Sequence, residues 1–375
     1  LVRSRGLGDV YKRQAYAWLV RGRTARDTAD WHTGQAAFEK SLSLYEQLGD
    51  RYWAAIVLQS LSLMAWTLDD RDSARMYFQR SLALSREIGD KIRAAYLLQA
   101  MGDMTGFDDG QVDEAEEYLL ESSRLFFAIG GRIGEQNSLA PLQSAAWLRG
   151  RFSQALEIAQ RRQRFAMEQG TSIVSGIDEQ GMAVGELLQL MGSYDLAETE
   201  NSGFIAEVLA AGWAHVEIWA RPLMAATLLA LGRYTEARQA LQSNIAALEQ
   251  AGQYRMLGRT LAMAARAELG LGNLAAAWGH ALRAVQLLSG RHYFWLLEAM
   301  AAAAAVLAER GEAQRAVEVY ALLNRHDYVA NSRWFGDVFG QVVEKAAANL
   351  PPDTVAAAKA RGEASVLWQA ARELL

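Results

Sequence analysis

Seven alanines recur along this chain at nearly constant intervals, and this periodicity constrains the fold more than any other feature. The successive spacings are 41, 40, 42, 40, 40 and 39 residues. The repeated residues are Ala74, Ala115, Ala155, Ala197, Ala237, Ala277 and Ala316. A fixed period of this length is typical of a solenoid, in which each unit buries its apolar face only against its neighbours. We therefore expect an array of equivalent units rather than one central core.

Each unit carries the marks of two helices joined by a turn. A glycine precedes six of the alanines by five residues, at Gly110, Gly150, Gly192, Gly232, Gly272 and Gly311. Glycine takes positive φ at no steric cost and so ends one helix, after which a new helical period begins. Earlier in the unit a large apolar residue precedes a small one, as in Leu61-Ser62 and Met101-Gly102. We predict that the small residues of the two helices face each other and allow close packing.

The small residue Ser62, the repeated Ala74 and the later Phe78 form a pattern that resembles the tetratricopeptide repeat. The usual unit of that family has about 34 residues, so the longer period here predicts longer helices. The strings SLSLYEQLGD from Ser41 and SLALSREIGD from Ser81 are similar to the long repeats at the C-terminus of bacterial multidomain signalling ATPases and LuxR-type transcriptional regulators. The resemblance implies an all-α fold, an α-solenoid that forms a right-handed superhelix of about eight helix hairpins with a C-terminal helical cap.

Three segments are expected along the chain. Residues 1–14 are expected to be a non-native, adapter-like segment. The alternatives are a basic amphipathic presequence and an ordinary linker. If the segment is non-native, we expect the chain to be a fragment. Residues 15–331 are expected to form the helical repeat domain. Residues 332–375 leave the period and predict a helical cap, with an amphipathic helix to Asn349, a helix start at Pro351-Pro352 and a final helix.

Composition excludes several classes of function. The net charge is −5, and an acidic balance argues against direct binding of nucleic acid. The chain has no cysteine, which excludes disulfides, thiolate metal sites and cysteine nucleophiles, and we expect a cytoplasmic location. No window of about twenty residues is both uncharged and strongly apolar, so we expect no membrane span.

The sequence carries none of the common catalytic motifs. A phosphate loop, a GxGxxG turn, an HExxH zinc motif and a GxSxG elbow are all missing. The five histidines lie in different repeats, and none has a second ligand three or four residues further along. We therefore predict no catalytic residue, no cofactor and no metal site, and we expect that the chain is not an enzyme.

The resemblance also suggests binding residues, because the first helix of each tetratricopeptide unit lines the concave side of the array. Carried over to this sequence, it implies a groove lined by Gln59, Gln99, Asp103, Asn137, Glu179, Glu186, Trp219, Arg259, Arg266 and Glu298. Amides, both charges and an aromatic side chain together favour recognition of a protein or peptide. For each residue the alternative is an ordinary solvated helix position.

Three functional hypotheses follow. The preferred one is a non-catalytic protein interaction or sensor array, the C-terminal part of a bacterial signal-transduction or transcription regulator. Its partner would be a protein, a peptide, or the missing N-terminal ATPase or effector domain in cis, and a free-standing adaptor is a variant of it. The second is a module that binds a small-molecule inducer in the groove. The third is an enzyme with an unfamiliar site, which a buried cluster of convergent titratable side chains would favour.

Overall fold

The structure, a computed structural model, describes residues 2–28, 30–168, 184–210, 214–250 and 252–375. Regular secondary structure in these residues is helical throughout, which confirms the predicted all-α fold. The chain divides into two compact units. Unit 1 comprises Leu1–Met104 with Glu114–Pro141, and unit 2 comprises Thr105–Asp113 with Leu142–Leu375.

Unit 1 is built from consecutive helix pairs. Its helices are α1 (Val2–Asp27), α2 (Trp31–Gln47), α3 (Arg51–Thr67), α4 (Arg71–Glu87), α5 (Lys91–Asp103) and α6 (Val112–Ile129), followed by the first part of α7 (Gly131–Leu148). Odd-numbered helices are the first and even-numbered helices the second of each pair. An aspartate caps the start of four of these helices by accepting a bond from the N–H three residues further along: Asp30, Asp50, Asp70 and Asp90. A capping aspartate at every twentieth residue therefore sets the helix boundaries.

Unit 2 continues the pairs and ends in shorter helices. The pairs are completed by α8 (Phe152–Glu168), α9 (Val184–Leu190), α10 (Tyr194–Ala210), α11 (Ala214–Ala230), α12 (Tyr234–Gln250), α13 (Tyr254–Gly270), α14 (Leu274–Leu288), α15 (Tyr293–Glu309) and α16 (Ala313–Leu323). The remaining helices are α17 (Asp327–Ala330), α18 (Arg333–Phe335), α19 (Gln341–Ala347), α20 (Pro352–Ala364) and α21 (Leu367–Leu374). Two π-helical segments, Met104–Asp108 and Gly336–Gly340, follow α5 and α18.

The periodic residues occupy the places that the sequence predicts. All seven repeated alanines lie in second helices and are 0% exposed. The six glycines that precede them have φ between 62° and 86°. Asp69 holds the corresponding place before Ala74 with φ 64°, and no other non-glycine residue of the described chain has positive φ. A Cβ on Gly102 would lie 3.1 Å from the carbonyl oxygen of Ala115, so the two helices approach closely at the small residues.

A second periodic feature was not predicted. In unit 1 a fully buried serine of each second helix donates a hydrogen bond to a backbone carbonyl of the first helix of its pair. The pairs are Ser41 with Ala15 (2.8 Å), Ser81 with Ala55 (2.8 Å) and Ser122 with Ala95 (2.7 Å). These bonds fix the rotation of each second helix on its partner, because a hydroxyl buried without a partner would be costly.

The C-terminal residues are helical but less regular than expected. The amphipathic helix predicted for residues 332–349 is interrupted by the π-helical segment between α18 and α19. Helix α20 begins at Pro352, as the double proline predicts, and it packs against α16 together with α21. Helix α1 runs unbroken through residue 14. The boundaries after residues 14 and 331 stay predictions.

Candidate functional site

The exposed side of the first helices in unit 1 carries aromatic and polar side chains. We call this surface the open face and define it by Tyr52, Gln59, Arg93, Tyr96 and Gln99 on α3 and α5, with Asn137 on α7. Tyr52 and Tyr96 are 49% and 45% exposed. Gln59, Gln99 and Asn137 are partly exposed. The open face is therefore accessible to a partner.

Hydrogen bonds link neighbouring first helices across the open face. The guanidinium of Arg93 donates to the side-chain oxygen of Gln59 at 2.7 Å and to Asp90 at 3.1 Å. It also lies 5.6 Å from the ring centroid of Tyr52. Further along, the amide of Asn137 donates to the Tyr96 hydroxyl at 3.4 Å. These contacts hold the exposed side chains in place before any partner binds, which lowers the entropy cost of binding.

Three of the predicted groove residues thus lie on the open face, and Asp103 lies on the same helix as Gln99 but is buried. Glu179 is outside the described residues. Trp219 belongs to α11, but its side chain is not among those described. The sequence reasoning missed Tyr52, Arg93 and Tyr96, although the first lies seven residues before Gln59 and the last three residues before Gln99. Those spacings place them on the same helix faces as the predicted glutamines.

Three further predicted positions, Glu186, Arg259 and Glu298, meet inside unit 2 in a buried charged cluster. Arg259 donates to Glu186 at 2.5 Å and to Glu298 at 3.1 Å, and the Tyr328 hydroxyl donates to Glu298 at 3.4 Å. All four residues are 4% exposed or less. We call these residues, Glu186, Arg259, Glu298 and Tyr328, the charged cluster. The sequence placed three of them in one groove, and the structure brings the three into direct contact but closes them to solvent.

Burial dominates the protonation behaviour of the charged cluster. It raises the pKa of Glu186 and of Glu298, and the nearby guanidinium of Arg259 offsets this only in part. Burial by itself lowers the pKa of Arg259, but Glu298 and Glu186 raise it by more, so the guanidinium stays charged. The single positive charge of Arg259 balances only one of the two carboxylates. Glu186 and Glu298 together therefore hold a proton more readily than exposed glutamates do.

A chain of stacked and paired side chains continues from the cluster. The Arg259 guanidinium lies 5.4 Å from the ring centroid of Trp295, and this ring stacks on His292 at 3.9 Å. The Nε2 of His292 lies 3.7 Å from one carboxylate oxygen of Asp108, and the other carboxylate oxygen accepts a bond from Arg255 at 3.2 Å. Ion pairs and stacked aromatic rings thus alternate through the interior of unit 2.

Residues 327–340 lie against the first helices of unit 2. Trp334, Phe335 and Phe339 of this segment are 1% exposed or less. Arg266, another predicted groove residue, donates to the backbone carbonyl of Val338 at 2.6 Å. The face that corresponds to the open face of unit 1 is therefore filled in unit 2 by the chain itself.

The described residues offer neither a metal cluster nor a membrane span. No group of three or more histidines, aspartates or glutamates is arranged to hold a metal ion in the described part of the chain. Among the helices that the structure describes, none combines the length and the apolar character needed to cross a bilayer.

Comparisons with known proteins agree with the architecture. Residues 13–87 match the family model described as Tetratricopeptide repeat. No curated protein matches the sequence significantly. The solved structure of a Rap protein complexed with Competence and Sporulation Factor is similar with a TM-score of 0.54 and 11% identity, over 85% of this chain and 95% of that one. At this identity the likeness shows the fold alone.

Two further solved structures are more distant. A Signal Transduction ATPase with Numerous Domains (STAND) protein with a tetratricopeptide repeat sensor, from Pyrococcus horikoshii, gives a TM-score of 0.48 at 14% identity over 83% of this chain. The match covers 52% of that protein, so this chain spans about half its length. Aspartyl phosphate phosphatase F from Bacillus subtilis gives 0.49 at 12% identity, over 77% of this chain and 74% of that one. Residues 13–87 thus match the tetratricopeptide repeat, and the paired-helix fold of the described residues is similar to that of the solved Rap protein.

Proposed function

We propose that this array is a non-catalytic binding module that holds a protein or peptide partner on the open face of unit 1. The observation that carries the proposal is the exposure of Tyr52 and Tyr96 beside the preordered Arg93. Tyrosine and arginine are enriched among the residues that dominate protein interfaces, because they combine large contact area with hydrogen bonding. Repeat arrays of this kind present extended surfaces that suit such partners.

The setting that we propose is a bacterial signal-transduction or transcription regulator. Support comes from the resemblance of the long repeats to those of signalling ATPases and LuxR-type regulators. In such a protein the partner on the open face is either a separate protein or the N-terminal ATPase or effector domain of the same chain. A free-standing adaptor would use the same surface for a separate partner, and we propose a cytoplasmic location for each of these forms.

The alternatives gain less support from the described residues. A small inducer would need convergent polar groups that solvent reaches, yet the polar groups that converge in the charged cluster are 4% exposed or less. The same cluster is the kind of site that would favour an enzyme. Its Arg259 bonds both carboxylates and Tyr328 bonds one of them, so the groups are occupied with each other rather than aimed at a substrate. We interpret it as a structural ion network.

Photo-crosslinking in cells tests the proposal, since it captures whichever partner lies on the open face. A photoreactive phenylalanine analogue replaces Tyr96 on the open face, and the matched control carries it at Tyr254, an exposed tyrosine of a first helix in unit 2. We expect one defined crosslinked product from position 96 and none from position 254. An added Arg93→Glu substitution should lower the yield at position 96 at least tenfold. Equal crosslinking from both positions, or none from position 96, would overturn the proposal.

The identity of the product separates the two kinds of partner. A crosslink to a second protein identifies a partner in trans. A crosslink within one chain of the protein expressed from its complete reading frame identifies an N-terminal domain in cis. With either product, the open face is the surface that binds the partner.

A further inference from the structure

Residues 327–340 of unit 2 lack the regular form of a repeat helix. They comprise the four-residue α17, the three-residue α18 and a π-helical turn, Gly336–Gly340. Three aromatic side chains in this stretch, Trp334, Phe335 and Phe339, are buried almost completely. Large aromatic side chains that fill buried pockets supply most of the binding energy where a peptide binds in a protein groove.

The surrounding helices contact the main chain of this segment as they would contact a bound peptide. Arg266 of α13 donates to the carbonyl of Val338 at 2.6 Å, and the hydroxyl of Tyr320 donates to the carbonyl of Phe335 at 3.1 Å. The hydroxyl of Tyr234 accepts a bond from Arg266 at 3.1 Å, and the Tyr234 ring centroid lies 4.9 Å from the guanidinium. Arg266 is therefore held in position by residues outside the segment.

Side chains of the segment complete the recognition. The indole N–H of Trp334 donates to the carbonyl of Ala226 in α11 at 2.9 Å. The carboxylate of Asp337 accepts a bond from the Tyr194 hydroxyl at 2.6 Å. An added Cβ on Gly340 would lie 2.6 Å from the Tyr320 oxygen, so glycine permits the close approach of the main chain there. The contacts thus select aromatic residues, one carboxylate and a glycine at fixed spacing.

We propose that the first-helix face of unit 2 is a peptide-binding site, that residues 332–340 fill it as a ligand in cis, and that it accepts peptides of the same aromatic and acidic chemistry in trans. The pattern recognised is Trp334-Phe335-Gly336-Asp337-Val338-Phe339. A partner that carries this pattern competes with the chain's own segment. The site is separate from the open face of unit 1, so the proposal does not depend on the partner proposed above.

The experiment uses the full chain with a weakened segment and supplies the segment as a synthetic peptide. Trp334→Ala removes the largest anchor, and addition of a peptide with the sequence of residues 332–341 should raise the Tm of this variant by about 5 °C at saturation. A control peptide with Trp334, Phe335 and Phe339 replaced by alanine should leave the Tm unchanged. The wild-type chain should respond weakly, because its tethered segment competes at an effective concentration near the millimolar range.

A second variant keeps the test decisive if Trp334→Ala does not fold. Asp337→Ala removes the contacts with Tyr194 and Gln341 and leaves the aromatic anchors in place. Saturable stabilisation of either variant by the native peptide supports the proposal. Absence of stabilisation in every variant that folds overturns it and shows that residues 332–340 are part of the core. That result would leave the crosslinking outcome at Tyr96 unaffected.

Discussion

The guanidinium of Arg259 lies 2.5 Å from the carboxylate of Glu186, although 73 residues separate the two in sequence. Arg259 belongs to α13 and Glu186 to α9, and one complete helix pair, α11 with α12, lies between them along the chain. In a simple solenoid each repeat contacts only its nearest neighbours. The long arginine side chain therefore couples repeats that the repeat architecture alone would leave independent.

Removal of the central charge should destabilise unit 2 strongly. Arg259→Met leaves two carboxylates buried without their partner, and we expect a loss of about 3–5 kcal/mol in the free energy of unfolding. Urea denaturation of the full chain measures this loss. The control is Arg283→Met, which removes an exposed ion pair with Glu249 and should change the stability by about 1 kcal/mol or less. Equal small effects of both substitutions would contradict the role of the charged cluster.

Stability should fall in mild acid because of one partly buried histidine, His326. Burial lowers the pKa of His326 to about 4, with a smaller contribution from Arg325, while Asp327 opposes the shift. The Tyr293 hydroxyl lies 2.8 Å from its Nδ1. The ordinary pKa of histidine is about 6.5. A lowered folded-state pKa stabilises the protein above pH 6.5, and this stabilisation is lost as the pH falls towards 4.

Between pH 7 and pH 5 the loss from this residue should be about 2 kcal/mol. Urea denaturation at both pH values, in the wild type and in His326→Gln, isolates the contribution. The variant should show a shallower pH dependence over this range. If both proteins lost the same free energy of unfolding between pH 7 and pH 5, burial would not lower the pKa of His326 in the folded protein.

A larger side chain at a repeated alanine should destabilise the protein, because the two helices of the pair are in close contact there. Ala237 of α12 is 0% exposed, and Ala237→Leu should cost about 1–3 kcal/mol because the helices must separate or distort to accept the larger side chain. Ala246 lies on the exposed side of the same helix. The matched substitution Ala246→Leu should be nearly neutral in the same denaturation measurement, and a similar cost at both positions would argue against the predicted packing.

Substitution by alanine should change the free energy of unfolding in opposite directions at two glycines. Gly232 has φ 72°, and Gly203 lies within α10. A Cβ on either residue would meet no atom within 4 Å, so only the backbone conformation differs. Gly232→Ala should cost about 1–2 kcal/mol, since alanine is strained at positive φ. Gly203→Ala should stabilise by about 0.5–1 kcal/mol, because alanine favours the helix. Thermal unfolding of both variants checks the signs, and a shared sign would contradict the assignment of Gly232 to a left-handed turn.

The sequence predicted the repeated units well because their packing is local. The buried alanines and the left-handed glycines lie at fixed distances within each unit, so their spacing alone predicts helix, turn and helix. Ser41, Ser81 and Ser122 repeat with the same period and could have been found in the same way.

The functional surface was harder to predict because it depends on contacts between distant residues. The resemblance selects Gln59 and Arg266 alike as groove positions of first helices, yet Gln59 is partly exposed and Arg266 is covered. What distinguishes them is the segment around Trp334, which lies 68 residues beyond Arg266 and carries no repeat pattern. The position of this segment on the first helices depends on contacts between residues far apart in the sequence, which the repeat period does not predict.

Thiol labelling tests most directly whether the first-helix face is open in unit 1 and filled in unit 2. The chain has no cysteine, so Tyr96→Cys on the open face and Val338→Cys in the filling segment each introduce a single reactive group. The native residues are 45% and 1% exposed. We expect the thiol at position 338 to react with a maleimide at least about 100-fold more slowly than the thiol at position 96, which corresponds to a local opening free energy of about 2.7 kcal/mol. Equal labelling rates at the two positions in the folded chain would contradict this account.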